Sequence, residues 1–558
     1  MLNFVANGLW YLLCLPGSLA FQQSLQDVAG TQRLLLQALL RRNAETTIGR
    51  RYGFAAIRSV ADYQARVPLS DYADYQEAIE RISAGEAGVL TQEPVLMLEL
   101  TSGSTVATKY IPYTAALKAE FQRAINPWIA GLYHRHPQLF RGQAYWSVTP
   151  VTHRQQRTPG GIPIGFEEDS EYLGPLQRRL VQSLLAVPSI VRLIDDMAAF
   201  RYVTLLFLLR SRNLALISVW NPTFLTLLMQ PLAEWWPQLA EDIAHGTLSP
   251  PTALPNDLYA SIRGMNRPDP VRAAEVRAAF QANLEPASVH ARLWPRLAVI
   301  SCWTEAHAAL YAPQVARLFP QARLQGKGLL ATEGVVSFPL AGQPGHILAL
   351  RSHFFEFIPA GQDSDLDRPL LAHELDPGQA YEPVLTTGGG LYRYRLHDIV
   401  EVVGHLKGCP LFRFSGKAGQ ISDRFGEKLN EYHVRQALDR LLQRYALRPE
   451  FAMVAYEDGT GQPAYMLFIE APAVSDPLLN RLAADLELAL QENFHYRYCR
   501  ELGQLQPLGL FRIDRNGLET YLSVCQAHGQ RAGDIKPMAL HRLEGWSRYF
   551  QGSLIPSP

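Results

Sequence analysis

The chain reads as an α/β protein, with a large N-terminal domain followed by a smaller α+β unit. Three observations predict this. An apolar strand, Pro94–Leu100, runs directly into a loop of Ser, Thr and Gly. Strand-like runs then recur among long helical stretches, the mixture expected when helices cover a sheet. Residues 419–558 carry a pattern of their own, two strands joined by a tight connection, a helix and a further strand.

The N-terminus, Met1 to Ala20, is apolar and ends in small residues, but no Lys or Arg precedes it. Without a basic leader it reads as an ordinary helix rather than a secretion signal. Residues 31–44 predict an amphipathic helix with Leu34, Leu35, Ala38 and Leu39 on its apolar side. Pro68 and Asp71 punctuate the stretch before the first strand. Residues 115–140 and 175–245 read as mainly helical. No transmembrane span is expected. The run Tyr202–Leu209 is stopped by Arg210 and Arg212, Leu214–Met229 is broken by Asn221-Pro222, and a span needs about 20 apolar residues. Further strands are expected at Leu297–Cys302, Ile347–Ala349 and Phe354–Ile358.

In the C-terminal part, Phe451–Tyr456 and Ala464–Glu470 read as a hairpin joined through Asp458–Gly461. Ser475 precedes Asp476-Pro477, the pattern of a helix N-cap. Leu479, Leu482, Leu486 and Leu490 then share one helical face, and Phe511–Ile513 suggests another strand. Gly and polar residues cluster at Gly416–Asp423, so the boundary is set there, giving domains 1–418 and 419–558. No internal repeat is visible.

Composition excludes several classes. Lys+Arg and Asp+Glu are both 52 among 558 residues, so net charge offers no reason to expect nucleic acid. Five scattered cysteines without a CxxC argue against a disulfide framework and for a reducing cytosol.

Four segments carry candidate chemistry, and each has a plain structural alternative. In Thr101–Lys109, Ser102, Gly103, Ser104 and Thr105 let backbone amides approach phosphate oxygens, and Lys109 adds positive charge. It is not a Walker A loop, because the second Gly and the Ser/Thr after Lys are missing. The alternative is a Ser/Thr-rich turn. In Ala331-Thr332-Glu333-Gly334 a Glu beside Thr follows an apolar run, a carboxylate of the kind that binds Mg2+ in ATP sites; the alternative is a helix start capped by Thr332. Gly388-Gly-Gly leads through Tyr392-Arg-Tyr-Arg395 to Asp398, an Asp suited to accept from ribose hydroxyls, or else an exposed charge on a hairpin. Lys428, before a helix, stands one turn from Glu431, so a solvated ion pair is the plain account.

Taken together, in this order, the segments resemble one family. Thr101–Thr105 with Lys109-Tyr-Ile-Pro-Tyr-Thr114 looks like the phosphate loop of adenylate-forming enzymes. Its extension is similar to that of the plant auxin-responsive acyl acid amido synthetases, the Gretchen Hagen family, and their bacterial relatives. Asn43-Ala-Glu-Thr46, Val67-Pro-Leu69, Ser218-Val-Trp-Asn-Pro222, Phe354-Phe-Glu-Phe-Ile-Pro359 and Gly426-Glu-Lys428 agree with it.

The resemblance implies a large domain of sheets flanked by helices, with a small β-barrel, that holds ATP and the acid, and a mobile α+β C-terminal domain. It implies ATP and Mg2+, an acyl-adenylate of a small carboxylic acid, and transfer to an amine, an amino acid. By position, Ser102, Ser104 and Thr105 meet phosphate, Thr332 and Glu333 meet phosphate and metal, and Asp398 meets ribose. Lys428 matches the lysine at the domain junction, and Lys536, in Asp534-Ile-Lys-Pro537, the lysine that reaches ATP. The acid pocket is expected near Val219 and Trp220 and in residues 150–165. A cytoplasmic monomer is expected.

This sequence departs from the pattern at Val106, Leu329 and His397, where the family usually has Gly, an aromatic and Gly. Leu330 and Lys417 also differ from the wider superfamily. An acyl-CoA synthetase, or a non-catalytic adenylate-binding scaffold, are the competing readings. Retention of Glu333, Asp398 and Lys428 speaks against the scaffold.

Overall fold

The computed structural model describes residues 2–100, 109–146, 156–165, 175–360, 368–417, 421–422, 424–425, 427–458, 463–530 and 535–556. The chain divides into two units. The first comprises Met1–Trp303, Gln314–Leu396 and Glu401–Arg413, and the second Thr304–Pro313, His397–Val400 and Phe414–Pro558.

In the first unit, the N-terminal helix Leu2–Ser24 buries Ala6, Trp10 and Cys14 in a core shared with Ile129, Leu132 and Tyr133 of the helix Ala115–Arg135. Asn7 pins it, donating to the carbonyls of Phe140 and Gly142 at 3.1 and 3.0 Å. Among the described residues, Asn3–Ser24 is long and apolar enough to cross a membrane, with a mean hydropathy of 1.4. Its outward face exposes Phe4, Val5, Leu9 and Leu12.

The next helix spans Val28–Arg42, and its buried face differs from the one the sequence suggests. Leu36, Leu39 and Leu40 are inside, while Leu34 is 61% exposed. Leucines occur all round this helix, so periodicity alone does not select a face. Gln32 selects it. Its amide donates to the carbonyls of Leu350 and His353 at 2.7 and 2.8 Å and accepts from Phe355 N–H at 2.8 Å.

Three sheets position the candidate site. A parallel sheet runs Gln143–Trp146, Leu214–Ser218, Val299–Ser301, Arg323–Gln325. Leu214–Ser218 lies in a stretch read above as helical, and the structure corrects that reading. An apolar run buried on both faces is what a covered parallel strand requires, and it carries no alternation to separate it from a buried helix. The rest of that stretch is helical, at Pro175–Leu184, Met197–Arg210, Pro222–Met229 and Leu232–His245.

A second sheet pairs Met97–Leu100 antiparallel with Tyr110–Tyr113. An eight-stranded sheet runs Ser337–Pro339, His346–Leu348, Cys409–Lys417, Asp398–Leu406, Ala380–Thr386, Phe354–Pro359, Leu370–Leu371, with Tyr394–Arg395 attached to Ala380–Thr386.

The second unit is built on a five-stranded sheet, Leu540–His541, Phe451–Glu457, Ala464–Glu470, Gln506–Ile513, Gly552–Ile555. Phe451–Glu457 and Ala464–Glu470 are antiparallel, with Glu457 opposite Ala464; residues 459–462 lie outside the described ones. The helix Asp476–Leu490 buries Leu479, Leu482, Leu486 and Leu490 completely. Ser475 stands at its N-cap, but its side chain makes no capping bond. Pro477 has no N–H to offer, and Leu478 N–H goes to the Ser475 carbonyl at 3.1 Å instead.

Candidate active site

Leu330–Ala331 and Gly334–Val335 pair antiparallel, Ala331 opposite Gly334, so Thr332 and Glu333 form the tip of a two-residue hairpin. The helix-start alternative is thereby overturned. A Cβ on Gly334 would lie 2.6 Å from His353 Nε2, so only glycine fits there. Tyr113 Oη donates to the Thr332 carbonyl at 2.5 Å, tying the tip to the strand after the phosphate-loop segment. Glu333 is half-buried. The Tyr394 phenol is pushed up first by burial and then by the charge of Glu333 facing it.

Beneath the hairpin lies a buried carboxylate that belongs to none of the four segments. Glu120, on the helix Ala115–Arg135, accepts from Gly388 N–H with both oxygens, at 3.0 and 2.9 Å. It also pairs with His353 Nδ1 at 2.8 Å. His353 Nε2 accepts from Val335 N–H at 3.0 Å, so the ring proton sits on Nδ1 and points at Glu120. One carboxylate therefore holds both the Thr332-Glu333 hairpin and the glycine turn. A Cβ on Gly388 would lie 2.7 Å from Glu120 Oε1. Thr114 adds a second tie, capping the helix through Leu117 N–H at 3.1 Å while its hydroxyl donates to the Gly388 carbonyl at 2.8 Å. The signal was present in the sequence. Leu117, Glu120, Phe121 and Ala124 have the spacing of one buried helical stripe, and a Glu inside such a stripe needs partners.

After the glycine turn, Arg393 forks onto Glu356 with two bonds of 3.0 Å, both side chains buried. Its third nitrogen donates to the carbonyls of Gln64 and Val67 at 3.0 and 2.6 Å. This arginine fixes the backbone that leads to Asp398.

Ser102, Gly103, Ser104 and Thr105 lie outside the described residues. The strands that flank them are in register, Leu100 opposite Tyr110. Lys109 is half-buried, its ammonium 5.4 Å from the Tyr72 ring centroid.

Asp398, Lys428 and Lys536 belong to the second unit. Asp398, 4% exposed, stands 3.6 Å from Lys417 Nζ. Lys428 is exposed with a left-handed backbone, φ 43°, and its carbonyl accepts from Asn493 at 3.2 Å. The ion pair suggested between Lys428 and Glu431 does not form. Glu431 is buried and pairs with Arg435 at 3.8 Å, and burial pushes its carboxyl up. The side chain of Lys536 is exposed, while its carbonyl accepts from the buried Tyr521 hydroxyl at 3.0 Å.

Of the two acid-pocket candidates, Val219 is 1% exposed and packs into the core around the parallel sheet. Trp220 is half-buried, and its ring faces the Lys327 ammonium.

Three family domains match the chain in order. Residues 19–324 match the GH3 family N-terminal domain, 346–417 the GH3 family central domain and 432–543 the GH3 family C-terminal domain. The chain belongs to the GH3 family. The indole-3-acetic acid-amido synthetase GH3.10 of Arabidopsis thaliana is 25% identical over 532 residues, covering 89% of each chain. The indole-3-acetic acid-amido synthetase GH3.8 of Oryza sativa subsp. indica is 25% identical over 524 residues, covering 88% of this chain and 84% of its own. Among solved structures, an acyl acid amido synthetase, AtGH3.15 in complex with 2,4-DB, shares the fold with a TM-score of 0.79 and 20% identity over 94% of both chains.

Within the GH3 family pattern, the departure at His397 has a structural consequence. His397 adopts φ 58°, a conformation in which glycine is unstrained and a Cβ is not. Leu329, where an aromatic is usual, is buried. For Mg2+, no cluster of three or more His, Cys, Asp or Glu side chains occurs among the described residues. A nucleotide-bound Mg2+ takes one or two carboxylates and completes its shell with phosphate oxygens and water. A single Glu333 at a hairpin tip fits that demand.

Proposed function

We propose that this GH3 protein is an ATP-dependent acyl acid amido synthetase, which adenylates a small carboxylic acid and passes the acyl group to an amino acid. The observation that carries this reading is the ordered match to all three GH3 domains from residue 19 to 543, supported by full-length relatives named as amido synthetases.

The chemistry follows from charge. A carboxylate oxygen of the acid attacks the α-phosphorus of ATP, and pyrophosphate leaves. The amine then attacks the acyl carbon, loses a proton, and AMP leaves as the amide forms. In this reading, Ser102, Gly103, Ser104, Thr105 and Thr332 hold the phosphates, with Ala331 and Gly334 shaping the hairpin. Lys109 adds positive charge, and Asp398 accepts from the ribose hydroxyls. Glu333 holds Mg2+, which offsets phosphate charge when bound. Lys536 offsets charge at the α-phosphate during adenylation, and Lys428 stands at the domain junction. Movement of residues 419–558 shields the adenylate from water. The enzyme acts as a monomer in the cytoplasm, a reducing compartment consistent with five free, buried cysteines.

The test is a carboxylic-acid library screened by ATP-dependent pyrophosphate release, with and without each amino acid, and with the amide identified by mass. Thioester formation with CoA and no amide with any amino acid would replace this reading with the synthetase one.

A further inference from the structure

A groove of about 340 Å³ opens where the helices Leu2–Ser24, Val28–Arg42 and Ala115–Arg135 meet the segment after the strand His346–Leu348. Ser24, Thr31, Leu34, Leu35, Arg123 and Arg351 line it. The two arginines stand on different terms. Arg123 is held from one side. Its Nε donates to the Arg351 carbonyl at 2.7 Å and its Nη2 to that of Ser352 at 3.4 Å, with Glu120 Oε1 3.7 Å from Nη2. Its Nη1 makes no hydrogen bond among the described residues. The Arg351 guanidinium has neither a hydrogen bond nor an ion pair among them. Burial pulls both guanidiniums below their usual range. At Arg123 the charge of Glu120 opposes that shift, while those of Arg351 and Arg42 deepen it. Glu120 is already committed to Gly388 and His353. The Ser24 hydroxyl donates to the Phe21 carbonyl at 2.7 Å, whereas the Thr31 hydroxyl makes one long bond, 3.4 Å to the Ser24 carbonyl.

We propose that this groove is a second ligand site, which takes a phosphate monoester with a short apolar group and acts on the Thr332-Glu333 hairpin. A phosphate monoester carries about −1.5 to −2 charge near pH 7. Two guanidiniums on one groove match that charge, and their planar forks suit phosphate oxygens. The Arg351 fork and Arg123 Nη1 supply the donors, and the Thr31 hydroxyl can turn from its long bond to add one. Leu34 and Leu35 form the apolar side, which gives the outward Leu34 a role as a groove wall. The volume falls within the roughly 300–1,000 Å³ of small-molecule sites. Action on the hairpin follows from how the groove wall is tied. Arg123 grips the carbonyls of Arg351 and Ser352. The Ser352 hydroxyl is shared between the carbonyls of Ala349 and Val335, at 2.6 and 3.1 Å. His353, next in the chain, accepts from Val335 N–H and meets Glu120. An occupant that holds Arg351 therefore loads the segment that holds Val335, a residue of the hairpin. This second half rests on the ligase reading above; the binding half does not.

The experiment titrates the full chain with inorganic phosphate and with butyl phosphate by calorimetry, ATP being present in excess so that the candidate phosphate loop is filled. Butyl phosphate is expected to bind more tightly than inorganic phosphate. R351M should weaken butyl phosphate roughly ten- to a hundredfold, the range for hydrogen bonds to a charged group, and R351K should keep part of the affinity. Arg351 has no partner to lose, so R351M should unfold at the wild-type urea concentration. L34E, at an exposed position, puts a carboxylate on the groove and should weaken binding as well. No binding of either probe, or binding that R351M and L34E leave unchanged, would overturn the proposal. Sedimentation with phosphatidylcholine vesicles, with and without phosphatidic acid, separates two sources of the same chemistry. Arg351-dependent pelleting with phosphatidic acid assigns a lipid headgroup, and butyl phosphate binding without such pelleting assigns a soluble phosphate. With butyl phosphate saturating, the KM for MgATP in pyrophosphate release should shift by roughly fivefold or more in the wild type and stay fixed in R351M. An unchanged KM would overturn the action on the hairpin. Arg351-dependent binding, in a protein that binds no ATP and releases no pyrophosphate with any acid, would support the site while sinking the ligase reading.

Discussion

Strain and charge meet at two adjacent residues. His397 holds a left-handed backbone directly before Asp398, the proposed ribose acceptor. His397→Gly should be neutral or stabilising by up to about 1 kcal/mol, whereas His397→Val should cost about 1–2 kcal/mol, measured by urea unfolding. Asp398→Ala should weaken ATP binding roughly ten- to a hundredfold while the fold persists. An unchanged ATP dissociation constant would return Asp398 to being no more than the partner of Lys417. Glu333→Gln should raise the Mg2+ needed for half-maximal pyrophosphate release; a wild-type Mg2+ curve would make Glu333 structural. These acidic groups were legible in the sequence because the chemistry demands a carboxylate at a defined distance from a glycine turn or a strand end. The partner of Asp398 and the strain at His397 were not, because both depend on backbone angles and on neighbours distant in the chain.

Secondary elements meet at Glu120, which joins a helix, a hairpin and a glycine turn. His353→Ala would leave the Val335 N–H without its partner and take one of two donors from Glu120, which would keep the Gly388 N–H. A buried group left so costs about 1–3 kcal/mol. The variant should unfold at lower urea and show a higher KM for MgATP with little change in KM for the acid. Equal changes in both KM values would mean that the network supports the whole domain rather than this hairpin. In the second unit, His541 lies edge-on to Tyr521 and Trp546, its Nδ1 accepting Leu543 N–H at 3.1 Å. Burial pushes its imidazole down to about 4. An unfolded His titrates near 6.5, so the unfolded chain takes up the proton first. The contribution of the neutral ring is therefore complete above about pH 6.5 and is lost as pH falls toward 4, on the order of 3 kcal/mol. His541→Gln should flatten that part of the stability–pH curve. A curve of unchanged slope would assign the acid sensitivity to other groups.

For the molecule as a whole, the division of labour between the two units is the testable matter. Lys536 lies late in the chain, exposed on the second unit, with its backbone anchored by Tyr521. If it serves adenylation alone, Lys536→Ala should slow pyrophosphate release by about a hundred- to a thousandfold and spare transfer from chemically made acyl-AMP. Both assays belong on one protein preparation. Equal losses would indicate a shared role or a folding defect, and no loss would make Lys536 a bystander.

What the sequence by itself determined is the local grammar: strand runs, helix caps, and motifs whose residue types follow from phosphate, metal and ribose chemistry. The order of those motifs was enough to identify the family. Tertiary structure decided everything that depends on contacts between segments far apart in the chain. It turned Leu214–Ser218 into a strand by burying both of its faces, and it chose which leucines of Val28–Arg42 face inward through Gln32. It also brought Arg123 and Arg351, from a helix and from the segment after a strand, to one groove. Apolar runs and lone charges are ambiguous in one dimension, because the partners that give them meaning lie tens or hundreds of residues away.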